Sequence, residues 1–160
     1  MSNTPAGTPA SVAAVRTDLR VLAPGEGEVH PVMGDPMRFL MTAEHSGGAY
    51  AICEQEVRPG NGAPPHIHHN EDEAFFVLEG EFTATVDGVP HRLSPGGFVH
   101  VPRGRVRSFT NHTDAMAKIL ILHAPGSAAG FYVAMGKLPF PPDLNEVKRL
   151  GDQHGIELVI

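Results

Sequence analysis

Apolar residues along this chain come in short runs, often at every second position, and Gly, Pro, Asn or Asp breaks each run. Phe82, Ala84 and Val86 alternate with Glu81, Thr83, Thr85 and Asp87, the period of a strand with one buried face. The Asp87-Gly88 pair that follows is a strong hairpin turn. Runs of the same kind predict strands at residues 37–43 and 50–57, around a turn at 44–48. Further strands are predicted at 75–78, 82–86, 89–93, 98–101, 106–110 and 116–123. Residues 19–22 and 28–32 read as short edge strands. About ten short strands punctuated by turns predict an all-β sandwich or barrel. No internal repeat is visible.

The two ends break this pattern. The first 14 residues are rich in Ser, Thr, Pro, Gly and Ala and read as a flexible tail. Residues 15–160 read as a single domain, with a core barrel over about 32–124 and a helical extension over about 139–160. In that extension Asp143 is placed to cap a helix, with Glu146 three residues later. Leu144, Val147 and Leu150 share one helical face, and Gly155 is a natural stop, which predicts a helix over 143–154. The apolar end at 156–160 is expected to dock. With residues 19–32 it is a candidate contact in a homodimer, since unpaired edges favour pairing.

Composition narrows the function classes. The chain has 160 residues and a net charge of −6, enough for one domain with a core and the wrong sign for a polyanion partner. The basic cluster Arg103, Arg105 and Arg107 is too short to reverse that reading, so nucleic acid is not expected as a partner. Cys53 is the only cysteine, which excludes an internal disulfide and suits a reducing compartment. Neither a signal peptide nor a membrane-length apolar run is visible. A cytoplasmic location without membrane association is the expectation.

The candidate chemistry lies between Gly60 and Gly80. His66 and His68 are two residues apart, so in a strand their imidazoles point to one side. After the bend Asn70-Glu71-Asp72, Glu73 can join them. Two imidazoles and a carboxylate on one side of an ion form the facial set used by metal sites with open positions. The apolar run Ala74 to Leu78 would line a cavity behind them.

The stretch reads Gly60, five residues, His66-x-His68, four residues, Glu73, six residues, Gly80. It resembles the first motif of the cupin family at every fixed position. In the second motif Gly96, Pro102, Gly104 and Asn111 fall in place. The family's usual third histidine does not, because Arg107 stands there. Runs such as Pro64-Pro65-His66 with His68-His69, and Glu71 to Phe75, resemble single-domain, quercetin dioxygenase-like bacterial cupins. The resemblance implies a jelly-roll barrel with a short C-terminal helix and one divalent metal ion (Fe, Mn, Ni, Co or Zn) as cofactor. It also implies a small-molecule substrate, phenolic or enolic, with dioxygenation as the first reaction class.

Arginine is a permanent cation with donors only and cannot ligate a metal as histidine does. Three arrangements follow. His66, His68 and Glu73 can hold the metal alone, with Glu73 also acting as base and Arg107 clamping a substrate anion. His100 or His123 can supply the missing ligand, while His112 has the opposite parity to Arg107 and is expected to face out. Arg107 can instead pair with Glu73 in a metal-free, ligand-binding site. A metal-assisted isomerase or cyclase of secondary metabolism is the alternative among enzymes. Tyr50, Phe75, Phe82 and Phe109 are candidate pocket residues, although the phenylalanines also suit a core wall.

Overall fold

Alternation in the sequence becomes two facing antiparallel sheets. The structure, a computed structural model, describes residues 19–159. Its strands in chain order are β1 (Glu28–Val32), β2 (Asp35–Met41), β3 (Ala51–Val57), β4 (Gly62–His68), β5 (Asp72–Glu79), β6 (Phe82–Val86), β7 (Val89–Leu93), β8 (Phe98–Val101), β9 (Val106–Thr110), β10 (Ala117–Ala124) and β11 (Ile156–Leu158). The helices are α1 (Ala43–Ser46), α2 (Ala129–Met135), preceded by a 3₁₀ turn at Gly126–Ala128, and α3 (Leu144–His154). One sheet has the order β1-β2-β3-β10-β5-β8 and the other β11-β4-β9-β6-β7. The molecule is a jelly-roll barrel with a short C-terminal helix, the class the strand pattern and the motifs predict.

Strand parity decides what lies between the sheets. Ala51, Cys53, Gln55 and Val57 of β3 face inward, as do Ala117, Ile119, Ile121 and His123 of β10. Phe75, Phe82 and Phe109 meet edge to face, with ring centroids 5.5–5.9 Å apart. Truncating any one of these buried rings to alanine removes about 3–5 kcal/mol.

The C-terminal segment reaches the barrel through a helix that the sequence specifies at both ends. The Asp143 carboxylate accepts a hydrogen bond from the Asn145 amide at 2.9 Å. Gly155 ends α3 at φ 71°, and a Cβ there would lie 2.1 Å from Asn70 Nδ2. This glycine therefore answers both the left-handed conformation and the close approach. Beyond it β11 pairs with β4, Ile156 opposite His68 and Leu158 opposite His66. The apolar end thus docks within its own chain, on the strand that carries both histidines.

Several expectations are corrected. Residues 19–22 form no strand, and the proposed tail at 1–14 lies outside the described residues. The turn expected at 44–48 contains α1, and α2 follows β10 in a stretch where no helix was predicted. Ala128, in the turn before it, and its own Phe131, Tyr132 and Met135 are buried and recur at helical spacing, a signal present in the sequence.

Candidate metal centre

Both sheets contribute to one cluster. From the five-stranded sheet come His66 and His68 of β4, with Arg107 of β9 in register opposite His66. From the six-stranded sheet come Glu73 of β5 and His123 of β10, also paired in register. The bend at residues 69–71 carries the chain from one sheet to the other. It brings ligand atoms of His66, His68 and Glu73 within 4.8 Å of one another.

The imidazoles of His66 and His68 are each held by Nδ1. His66 Nδ1 lies 2.7 Å from the Pro64 carbonyl, and His68 Nδ1 lies 3.3 Å from Glu71 Oε2. Both acceptors require the hydrogen on Nδ1, an assignment made from the hydrogen-bond network, which leaves the Nε2 lone pairs free. The Ser127 hydroxyl donates to the other oxygen of Glu71. His68 Nε2 is buried with no hydrogen-bond partner among the described residues and sits 4.0 Å from Glu73 Oε2.

Burial favours a neutral ring at His66, and the groups around Glu73 favour its ionised carboxylate. Burial lowers the His66 pKa to about 4, aided by His68 and Arg107 and opposed by Glu73 and the Pro64 carbonyl. Burial alone would raise the Glu73 carboxyl. The imidazoles of His68, His123 and His66 outweigh that and hold it below the ordinary carboxylate range. Glu71 is also held low, its partial burial outweighed by the hydrogen bonds from His68 and Ser127.

The donor set fits a divalent transition metal on this structure's own terms. Two neutral nitrogens and a carboxylate converge, one nitrogen is otherwise orphaned, and its ring is oriented by a carboxylate behind it.

Arg107 faces the same centre but spends its donors elsewhere. Its side chain is 1% exposed and Nη1 lies 3.3 Å from Glu73 Oε2. Nη2 donates to the Pro102 carbonyl at 2.9 Å, and Nε and Nη2 both reach the Arg105 carbonyl at 3.3 Å. The residue does not line the cavity beside the cluster. It is an ion-pair partner of Glu73, and the geometry does not support its role as a substrate clamp.

The two spare histidines part ways. His100 is exposed on β8 and is corrected as a ligand candidate; His112 is exposed, as its parity predicts. His123 is buried, stacks on His68 with centroids 5.4 Å apart, and places Nε2 3.0 Å from Glu73 Oε1. It supports Glu73 from behind and lies outside the close group of three.

A cavity of about 50 Å³ opens from the cluster, walled mainly by Val32, Met37, Phe109, Ile121, Phe131, Met135, Val147, Ile156 and Leu158. Of the expected pocket residues only Phe109 lines it. Phe75 and Phe82 belong to the core behind. Tyr50 borders a groove on the outer face of the six-stranded sheet, with Arg20, Ile52 and Leu120. The strand reading missed Glu71, Ser127, Tyr132 and Gln55. Tyr132 Oη lies 3.1 Å from His123 Nε2, and burial, with the Glu73 charge nearby, raises its phenol pKa well above the usual value. Gln55 had a legible signal, an amide at an inward position of an otherwise apolar strand face.

A two-sheet barrel holding a His-His-Glu cluster at the end of an apolar cavity defines a class of metal-competent jelly rolls. The chain belongs to the cupin family. The family's Cupin domain matches residues 53–124. Protein SchB of Streptomyces halstedii is 30% identical over 115 residues, which is 71% of this chain and 75% of that protein. Quercetin 2,3-dioxygenase of Bacillus subtilis (strain 168) is 31% identical over 119 residues, or 72% of this chain, but the match spans only 34% of that enzyme. Among solved structures, the polyketide cyclase RemF from Streptomyces resistomycificus aligns with a TM-score of 0.59 at 19% identity, covering 67% of this chain and 80% of that one. At that identity the likeness speaks for the fold. No helix among the described residues is long and apolar enough to cross a membrane.

Proposed function

We propose that this chain is a metal-dependent cupin that acts on a small, planar phenolic or enolic molecule, with dioxygenation as its reaction. The observation that carries the reading is the convergence of His66, His68 and Glu73 within 4.8 Å at the end of an apolar cavity. His66, His68 and Glu73 would hold one divalent ion. When bound, such an ion supplies Lewis acidity that lowers the pKa of a substrate hydroxyl and, with a redox-active metal, a partner for dioxygen.

The remaining work falls to the protein. The apolar walls orient a flat ring and exclude water, which strengthens every charge interaction inside. Glu73, held ionised, is placed to accept the hydroxyl proton as well as to ligate. Among the described residues no lysine or arginine lines the cavity, which disfavours sugar phosphates and other polyanions as substrates. Similarity to the quercetin 2,3-dioxygenase of Bacillus subtilis supports an oxidative reading. So small a cavity holds a few waters, so binding a ring requires its walls to move apart.

A second reading rests on the Arg107–Glu73 pair, which would suit a metal-free binding protein. Two oriented imidazoles with free lone pairs weigh against it, since an ion pair has no need of them.

Oxygen consumption separates the reaction classes. Protein loaded in turn with iron, manganese, cobalt or nickel is mixed with a panel of flavonols and single-ring catechols in an oxygen electrode. Uptake at one dioxygen per substrate consumed is expected with a redox-active metal. Substrate turnover without uptake would replace dioxygenation with the isomerase or cyclase chemistry.

A further inference from the structure

The cavity wall carries two polar groups that the metal cluster leaves unused. Gln55 is 4% exposed and lies on the inward face of β3 between Cys53 and Val57. Its register neighbours are Ile119 on β10 and Met37 on β2, and neither side chain hydrogen-bonds the amide. The Gln55 side chain borders the cavity, and no group among the described residues hydrogen-bonds its amide. An amide carries two donors and an acceptor, and a buried one without protein partners requires an explanation.

Tyr132 of α2 borders the same cavity. His123 Nε2 approaches Glu73 Oε1 at 3.0 Å and Tyr132 Oη at 3.1 Å, yet that nitrogen carries at most one hydrogen. An ionised Glu73 claims it. The phenol oxygen can then only share that hydrogen, and its own O–H has no acceptor among the described residues.

We propose that Gln55 and Tyr132 form a second polar contact point in the cavity, which takes a ring-borne carbonyl or hydroxyl oxygen of the bound molecule. The inference rests on the cavity being the substrate site. It sharpens the substrate class to a planar compound oxygenated at two places, one at the His66–His68–Glu73 centre and one facing Gln55. The amide serves either a carbonyl or a hydroxyl there, and the phenol donates to both.

Two measurements test it. The first is ligand-independent: the melting temperature of Gln55→Met, which keeps the length and removes the amide. An amide that serves only a ligand leaves the melting point unchanged or higher. A fall beyond about 2–4 °C, the scale of one structural hydrogen bond in a domain of this size, or failure to fold, shows that the amide holds the fold and overturns the proposal.

The second uses metal-loaded protein under nitrogen, titrated with 3,4-dihydroxyacetophenone and with 4-ethylcatechol, which share a shape and differ by one carbonyl oxygen. The parent is expected to prefer the ketone by roughly three- to tenfold. That preference should shrink towards unity in Gln55→Met and fall partway in Tyr132→Phe. A parent that binds both equally, or a preference unchanged in both variants, overturns the contact point. If the parent binds neither catechol, the phenolic reading of the substrate fails, and the melting measurement alone decides the Gln55 assignment.

Discussion

Replacing Arg107 with methionine removes a cation from the centre while keeping most of the side-chain volume. The Arg107 Nη1–Glu73 Oε2 contact is 3.3 Å, with both side chains at 2% exposure or less. At an effective dielectric of about 20 the gross attraction at that distance is about 5 kcal/mol. Desolvation of both groups offsets much of it, but removing one partner of a buried pair still costs about 3–5 kcal/mol. The His123 contact on the other Glu73 oxygen survives, which places the loss near the lower end. In a domain of this size about 3 kcal/mol lowers the melting temperature by roughly 6–12 °C. Metal binding should move the opposite way. In the parent an ion must share Glu73 with a guanidinium; in the variant it does not, and affinity should rise at least tenfold. Arg107→His adds a nitrogen donor as well and should bind tighter still. Competitive titration against a fluorescent chelator, with melting curves at matched metal concentrations, reads both effects. Metal affinity in Arg107→Met equal to or weaker than that of the parent would show that Arg107 assists the site rather than competes for Glu73.

Three further outcomes follow from the same geometry. Glu71→Gln weakens the acceptor that fixes the His68 ring, and metal affinity should fall about 10- to 100-fold; the same titration checks it, and an unchanged affinity would show that the Glu71–Ser127 pair does not orient the ligand. In the metal-free protein His66 titrates at about 4 rather than 6.5, so unfolding takes up a proton, and stability should fall by up to about 3 kcal/mol as pH drops from 6.5 to 4. Glu71 and Glu73, both held low, keep their contribution above the ordinary carboxylate range and lose it below, steepening the decline; melting curves that are flat from pH 7 to pH 5 contradict this, and His66→Gln should remove the upper part of the slope. Strands β1 and β11 are open edges of their sheets, and we predict a homodimer through them, which a monomeric mass by light scattering at micromolar concentration would rule out.

Much of the barrel is legible because burial on one face imposes a period of two, and strands such as β6 and β3 display it. The His66–His68–Glu73 group is legible for the same reason: parity aligns the histidines, and a short bend delivers the carboxylate. What strand parity hides is how the sheets are closed. Helix α2 brings Tyr132, and the turn before it brings Ser127; neither follows a strand period, and both reach the site only because the chain folds back after β10. Arg107 shows a different limit. Parity places it inward, but only the neighbouring carbonyls of Pro102 and Arg105 reveal that its donors are already engaged. His100 was misplaced because its spacing from Arg107 carries no information about which face of β8 it occupies. Tyr50 shares the outward parity of Ile52 and Glu54, so the alternation of β3 already places it outside the barrel.

The geometry points to one divalent ion held by His66, His68 and Glu73. Elemental analysis of protein purified without chelators or a metal-affinity tag, then reconstituted with manganese, iron, cobalt, nickel or zinc, tests it most directly. Close to one ion per chain is expected with at least one of these metals, lost in His68→Ala. Occupancy that stays far below one ion per chain with all five, or that is undiminished in His68→Ala, would contradict it.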